Sequence, residues 1–191
     1  MNCRNINPAG RRLLLALLWM FTFLQGNLYA QEWEEPRIWA GLDLFPSLVA
    51  ADRDIAEKHG PDGKLLLVLI YVDEKEAAEE MALYLAKIKH VRGIPIRIEL
   101  TDDTSMKSYE DTPLAGIFLT QRLNAELEHV IGYGMKHHTI VLSPFEGDLE
   151  RGVLGGIAIS DRILPYVNME AMRSWGIRIK GFFLRIAEQY E

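Results

Sequence analysis

The stretch Lys64–Val72, KLLLVLIYV, is apolar from Leu65 to its end at Asp73-Glu74. A run of that length without alternation suits a strand buried on both faces, as in a parallel sheet covered by helices. Its neighbours fit that demand. EKEAAEEMALYLAKIKHV keeps Ala77, Met81, Tyr84, Leu85 and Ile88 on helical spacing, and its charges run from acidic to basic. Arg92-Gly93 ends this helix. IPIRIELT alternates like a strand, DDTSMKSYEDTP is a polar connector and AGIFLTQ is a short strand. A helix begun at Asn124, weakened by Gly132 and Gly134, leads to the buried strand TIVLSP, Thr139–Pro144. Strands alternating with helices predict an α/β layered sheet, Rossmann-like or flavodoxin-like in topology.

The rhythm then breaks. Ile157-Ala158-Ile159 and Ile163-Leu164 with Tyr166-Val167 flank the polar Ser160-Asp161-Arg162, which predicts a β-hairpin. Asn168 is placed to cap the helix MEAMRSWG, and IRIKGFFLRIAEQYE predicts a last short strand and a terminal helix. Before the core strand, Leu48, Val49 and Ile55 keep helical spacing up to Gly60-Pro61. QEWEEPR, Gln31–Arg37, reads as a short flexible lead.

The first thirty of the 191 residues read as a cleaved signal peptide. Arg4, Arg11 and Arg12 precede the apolar run Leu13–Leu24, and Leu28-Tyr29-Ala30 places cleavage after Ala30. That run is shorter than a spanning helix needs. The expected protein is therefore soluble and periplasmic. All 27 acids follow residue 30 and three of the 21 bases precede it, so the mature net charge is 18 − 27 = −9. Such a charge disfavours nucleic acid and anionic membrane surfaces. The one cysteine, Cys3, leaves with the signal. The mature domain then has neither disulfides nor thiol chemistry.

Gly152, Gly155 and Gly156 match neither dinucleotide nor P-loop spacing and precede a strand rather than a helix, so they read as backbone devices. His137 and His138 are adjacent, which points their rings about 100° apart on a helix and prevents joint chelation. They and His59 read as helix-end residues. Asp73-Glu74, Asp102-Asp103 and Glu146, Asp148, Glu150 follow strands, where ligands bind in open α/β sheets. Asp73 and Asp102 read as helix caps, whereas FEGDLER is the least explained stretch and the best candidate for a contact surface. Ser143 lacks a nucleophile elbow and is followed by Pro144, which has no N–H to offer an oxyanion. No catalytic constellation, metal set or cofactor cradle emerges.

The C-terminal third carries Gly155-Gly156, Ile157, Val167-Asn168, Ala171, Gly176, Ile177 and Leu184-x-x-Ala187. In these positions it resembles the YfiR/HmsC-like family of periplasmic regulators, over roughly residues 64 to 187. The resemblance implies a Rossmann-like domain, often dimeric, that controls a membrane-bound diguanylate cyclase, and with it cyclic-di-GMP signalling, through the cyclase's periplasmic sensor region. With the signal peptide and lead read above, the expected division is 1–30 signal peptide, 31–63 lead and first helix, and 64–191 YfiR-like α/β domain, the mature chain 31–191 being one domain. Two departures stand out. The cysteine pairs of the family are missing, and Ile38–Gly63 does not match its aromatic-rich first helix. The expectation is a non-enzymatic regulator that docks on a diguanylate cyclase or a sensor kinase. The alternative is a solute-binding or ligand-sensing component of a transporter or sensor, and an enzyme built around Asp102 and Glu146 ranks last. Phe45, Pro46, Phe145 and Trp175, with Glu146 and Asp148, are the candidate partner contacts.

Overall fold

The computed structural model describes residues 34–191. The expected signal peptide and the first residues of the lead lie outside that range. The architecture below is that of the compact unit Arg37–Glu191. Residues 34–37, expected in a flexible lead, are helical.

The unit opens with a helix, α1, over residues 37–51. The core strand β1 (Leu65–Ile70) follows and is buried at all six positions, as its unbroken apolar run demands. Helix α2 (Lys75–Leu85) then leads into a tight hairpin, β2 (His90–Val91) and β3 (Ile94–Thr101). The helix stops at Leu85, six residues short of the expected end at Val91. Arg92 and Gly93 both have positive φ, 51° and 83°, the signature of a two-residue type I′ hairpin loop. That hairpin claims His90 and Val91 as a strand. Strand β4 (Gly116–Leu119), helix α3 (Leu127–Lys136) and strand β5 (Ile140–Leu142) complete the alternating part.

The predicted hairpin is present as β6 (Gly155–Ile159) and β7 (Ile163–Asn168). Asn168 caps α4 (Met169–Ser174), its Oδ1 accepting from the Ala171 N–H at 2.8 Å. The chain's end differs in detail from its reading. A four-residue helix, α5 (Gly181–Leu184), is followed by a last edge strand, β8 (Glu188–Tyr190), which pairs in parallel with β7.

All eight strands form one sheet in the order β2-β3-β1-β4-β5-β6-β7-β8. Strands β3, β1, β4, β5 and β6 run parallel. Numbered by themselves they stand in the order 2-1-3-4-5, the flavodoxin-like doubly wound arrangement. Register fixes the faces. Gly116 lies level with Leu67 and Ile140, and Phe118 with Leu69 and Leu142, so these share one face by the two-residue period of strands. Helix α1 covers that face, with Phe45 against Phe118 at 5.6 Å between ring centres. Helix α2 joins α1 there through Trp39 and Tyr84, stacked edge-on at 5.4 Å, and through the Tyr84 hydroxyl on Asp43. The opposite face carries α3, whose Gly134 is crowded by Val141 and by Trp175 at the end of α4.

Candidate functional site

In a doubly wound sheet the ligand crevice opens where the strand order reverses, at the carboxyl ends of the strands. Here that point lies between β1 and β4. The chain fills it with its own side chain. Gln121 follows β4, and its Oε1 accepts from three successive backbone N–H groups, Val72 at 2.7 Å, Asp73 at 3.0 Å and Glu74 at 3.1 Å. These are the donors ahead of α2, where an anion would otherwise sit. Asp73 is therefore not the cap it was expected to be, and Glu74 at the N-cap position makes no side-chain cap bond. A glutamine from the neighbouring strand does that work across the switch point.

At the end of β3 the capping residue is Asp103 rather than Asp102. Asp103 Oδ1 accepts from the Ser105 hydroxyl at 2.5 Å and its N–H at 3.1 Å, and Oδ2 from the Ser108 hydroxyl at 2.6 Å and its N–H at 2.9 Å. Those bonds favour the charged form and hold its carboxyl at about 2. The carboxylate orders the connector and lines none of the described cavities.

The loop after β5 carries FEGDLER. Ser143 is fully buried, its hydroxyl donating to Asp148 Oδ2 at 2.6 Å and accepting from the Phe145 N–H at 3.2 Å. Asp148 is buried as well, and burial pushes its carboxyl upward against the opposing pull of Ser143, Arg122 and Arg151. Arg122 lies over the Phe145 ring at 5.2 Å and donates to the Glu146 carbonyl at 2.9 Å. This loop is thus an internally bonded turn in which Glu146 and Glu150 alone of the acids face solvent.

Next to it the sheet splits. Strands β5 and β6 pair only at Leu142 and Gly155, after which Pro144 turns the chain away. Arg37 of α1 enters the gap, its Nε donating to the Pro144 carbonyl at 3.1 Å and its Nη2 to the Ile157 carbonyl at 3.4 Å. A shallow groove of about 210 Å³ remains, lined by Arg37, Phe145, Glu146, Glu150, Tyr166 and Ile157–Ile159 of β6.

The partner-contact candidates separate on burial. Phe45, Phe145 and Trp175 are core residues, as is Pro46, so none of them forms an exposed apolar patch. Asp148 is used inside its loop. Glu146 alone stands on the surface. The enzymatic reading asked for Asp102 and Glu146 about one small molecule, but they follow β3 and β5, three strand spacings or about 14 Å apart. No described cavity is lined by both.

At the amino ends of the strands, where α3 leads into β5, His137 ends its helix as read. Its ring stacks on Tyr133 at 4.3 Å, and desolvation, aided by Lys136 and His138, lowers its basicity. His138 has φ 52° and turns its Nδ1 onto the Trp175 carbonyl, which can only accept, so that nitrogen carries the proton. Lys58 pairs with the buried Asp52 and donates to the His138 carbonyl. Among the described residues no cluster of three His, Cys, Asp or Glu side chains is arranged to hold a metal ion. No helix there is long and apolar enough to cross a membrane.

Sequence would not have found Gln121, Arg37 or the split between β5 and β6. Each depends on residues far apart in the chain, 107 positions in the case of Arg37 and Pro144. Only Pro144, which must leave a central strand, hinted at the break.

No family model matches the chain, and no curated protein matches it. Among solved structures, an ABC domain from Streptococcus pneumonia in complex with L-Trp is 12% identical, with a TM-score of 0.47 over 74% of this chain and 61% of that one. A conserved domain protein from Vibrio cholerae is 14% identical, with a TM-score of 0.48 over 72% and 57%. The chain spans about three-fifths of the length of each. The strand order, rather than these likenesses, defines the fold.

Proposed function

We propose that this chain is an exported, non-enzymatic regulatory protein that binds the periplasmic part of a membrane signalling protein, a diguanylate cyclase, and so controls cyclic-di-GMP signalling. The observation that carries the binding part of this reading is Gln121. The crevice where doubly wound sheets take small ligands is closed by an amide oxygen that already satisfies three backbone donors. A ligand there must displace it, and the acids Asp73 and Glu74 flank the same spot. Protein surface is then the better recognition element. The partner's identity rests on the resemblance of Gly155–Ala187 to the YfiR/HmsC-like regulators.

The test is capture of the full chain, tagged and produced by its own host, from detergent-solubilised membranes. A diguanylate cyclase recovered at near one-to-one yield, with synthesis of cyclic-di-GMP altered when the chain is added back, supports the reading. Recovery of a small molecule and no cyclase overturns it in favour of the solute-binding alternative.

A further inference from the structure

The hairpin β6–β7 outruns the sheet on both sides. On the β7 side, β8 pairs only with Tyr166–Asn168, and on the β6 side, β5 reaches only Gly155. Ladder geometry tells which backbone groups this leaves bare. The Gly155 carbonyl accepts from the Ser143 N–H, so its polar groups point toward β5. Alternation then directs Gly156 and Ala158 at β7, consistent with the Ser160 N–H on the Arg162 carbonyl that closes the turn, and directs Ile157 and Ile159 outward.

The two bare edges are not alike. Pro165 stands opposite Ile157 and by the same alternation turns its ring, which carries no N–H, away from β6. That is the usual protection of an edge against a foreign strand. The β6 edge has no such block. The Ile157 carbonyl is held only by Arg37 at 3.4 Å, and the Ile159 N–H and carbonyl meet no partner among the described residues. Ile159 and its cross-strand neighbour Ile163 are each nearly half exposed. The groove beside this edge is walled by Glu146 and Glu150, neither of which makes an ion pair among the described residues.

We propose that the outer edge of β6, Ile157–Ile159, accepts an extended strand from a partner protein, with a Lys or Arg of that strand directed at Glu146 and Glu150. Backbone bonds to Ile159 and to the Ile157 carbonyl supply the pairing, and alternate side chains settle in the groove over Phe145. A second copy of this chain is the poorer occupant, because it brings its own Glu146 and Glu150 against the same acids. The inference names the docking surface of the regulator proposed above and rests on that binding reading.

Selection of a displayed library of random dodecapeptides against the full chain tests it. Enriched peptides are expected to alternate β-branched with polar residues, to hold a Lys or Arg, and to bind less tightly as salt rises. Ile159→Pro removes an N–H that faces outward and leaves the ladder to β7 intact, the device Pro165 already supplies on the other edge. It should weaken binding by about tenfold or more, and Glu146→Lys with Glu150→Lys by a similar factor, with the melting midpoint held as a check on folding. Peptides that bind both variants as they bind the parent overturn the proposal. So does the absence of any enrichment, or a homodimer that sedimentation shows to be lost in Ile159→Pro. Peptide binding without membrane capture would sink the cyclase reading and leave the edge standing, whereas capture that survives Ile159→Pro would do the reverse.

Discussion

Gln121 sets one amide oxygen against three N–H groups that no other side chain among the described residues reaches. Gln121→Ala returns those donors to water, because Val72, Asp73 and Glu74 are exposed. The loss should therefore be that of a helix cap, about 1–2 kcal/mol, read as a lower urea midpoint at unchanged slope. Asp103 acts similarly but titrates. Its folded carboxyl is depressed from 3.8 to about 2, so its contribution is full above the unfolded value and is lost as pH falls through that window. Asp103→Asn should be less stable than the parent at pH 6, and the two should converge as pH falls from about 4 to 2. A difference that persists at pH 2 would assign the effect to packing. At this scale the sequence was only partly legible. That an acid of Asp102-Asp103 caps the connector could be read from the residue types, but which of the two does so depends on where β3 ends. Nothing local marks Gln121, since its partners belong to another strand.

The glycine pair shows what an element requires of its residues. Gly155 and Gly156 open β6 itself rather than preceding it. A Cβ on Gly155 would lie 2.5 Å from Leu48 Cδ2, and one on Gly156 2.2 Å from Leu149 Cδ1 and 3.2 Å from the Ser143 carbonyl. These glycines are flat spots on which α1 and the β5 loop rest, the close backbone approach expected of them. Gly156→Ala should cost about 1–3 kcal/mol by overpacking. Adding Leu149→Ala should recover part of that loss, a coupling that a double-mutant cycle measures. Independent costs that simply add would show that the close approach is not what fixes Gly156. Elements with strong periodicity or unbroken apolarity, β1, β4 and the β6–β7 hairpin, were legible because their patterns belong to single elements. The end of α2 was not, because a helical pattern through Ile88 competed with an I′ loop at Arg92-Gly93 whose claim on His90-Val91 depends on strand pairing.

Over the whole molecule the least legible part is also the most integral. The stretch IWAGLDLFPSLVAADRD holds Gly41 and Pro46, both poor residues for a helix interior, so only its last turns carried a helical signal. Packing overrides that local cost. Gly41 brings α1 to 3.0 Å of Pro144 Cβ as measured from a would-be Cβ, and Gly116 leaves room for Phe45 and Val49. Leu42, Phe45, Leu48 and Val49 are all within 2% of full burial. Each contributes on the order of 2 kcal/mol, together comparable to the whole stability of an ordinary domain. The boundary at residue 64, drawn from the resemblance, therefore divides one core. A chain of residues 31–191 should melt cooperatively. One of residues 64–191 should lose near-ultraviolet dichroism and bind a hydrophobic dye, as compact chains without fixed packing do. A sharp two-state melt of the shorter chain would mean that the sheet and α2–α4 suffice alone, and that α1 is an attached element free to serve as a partner surface.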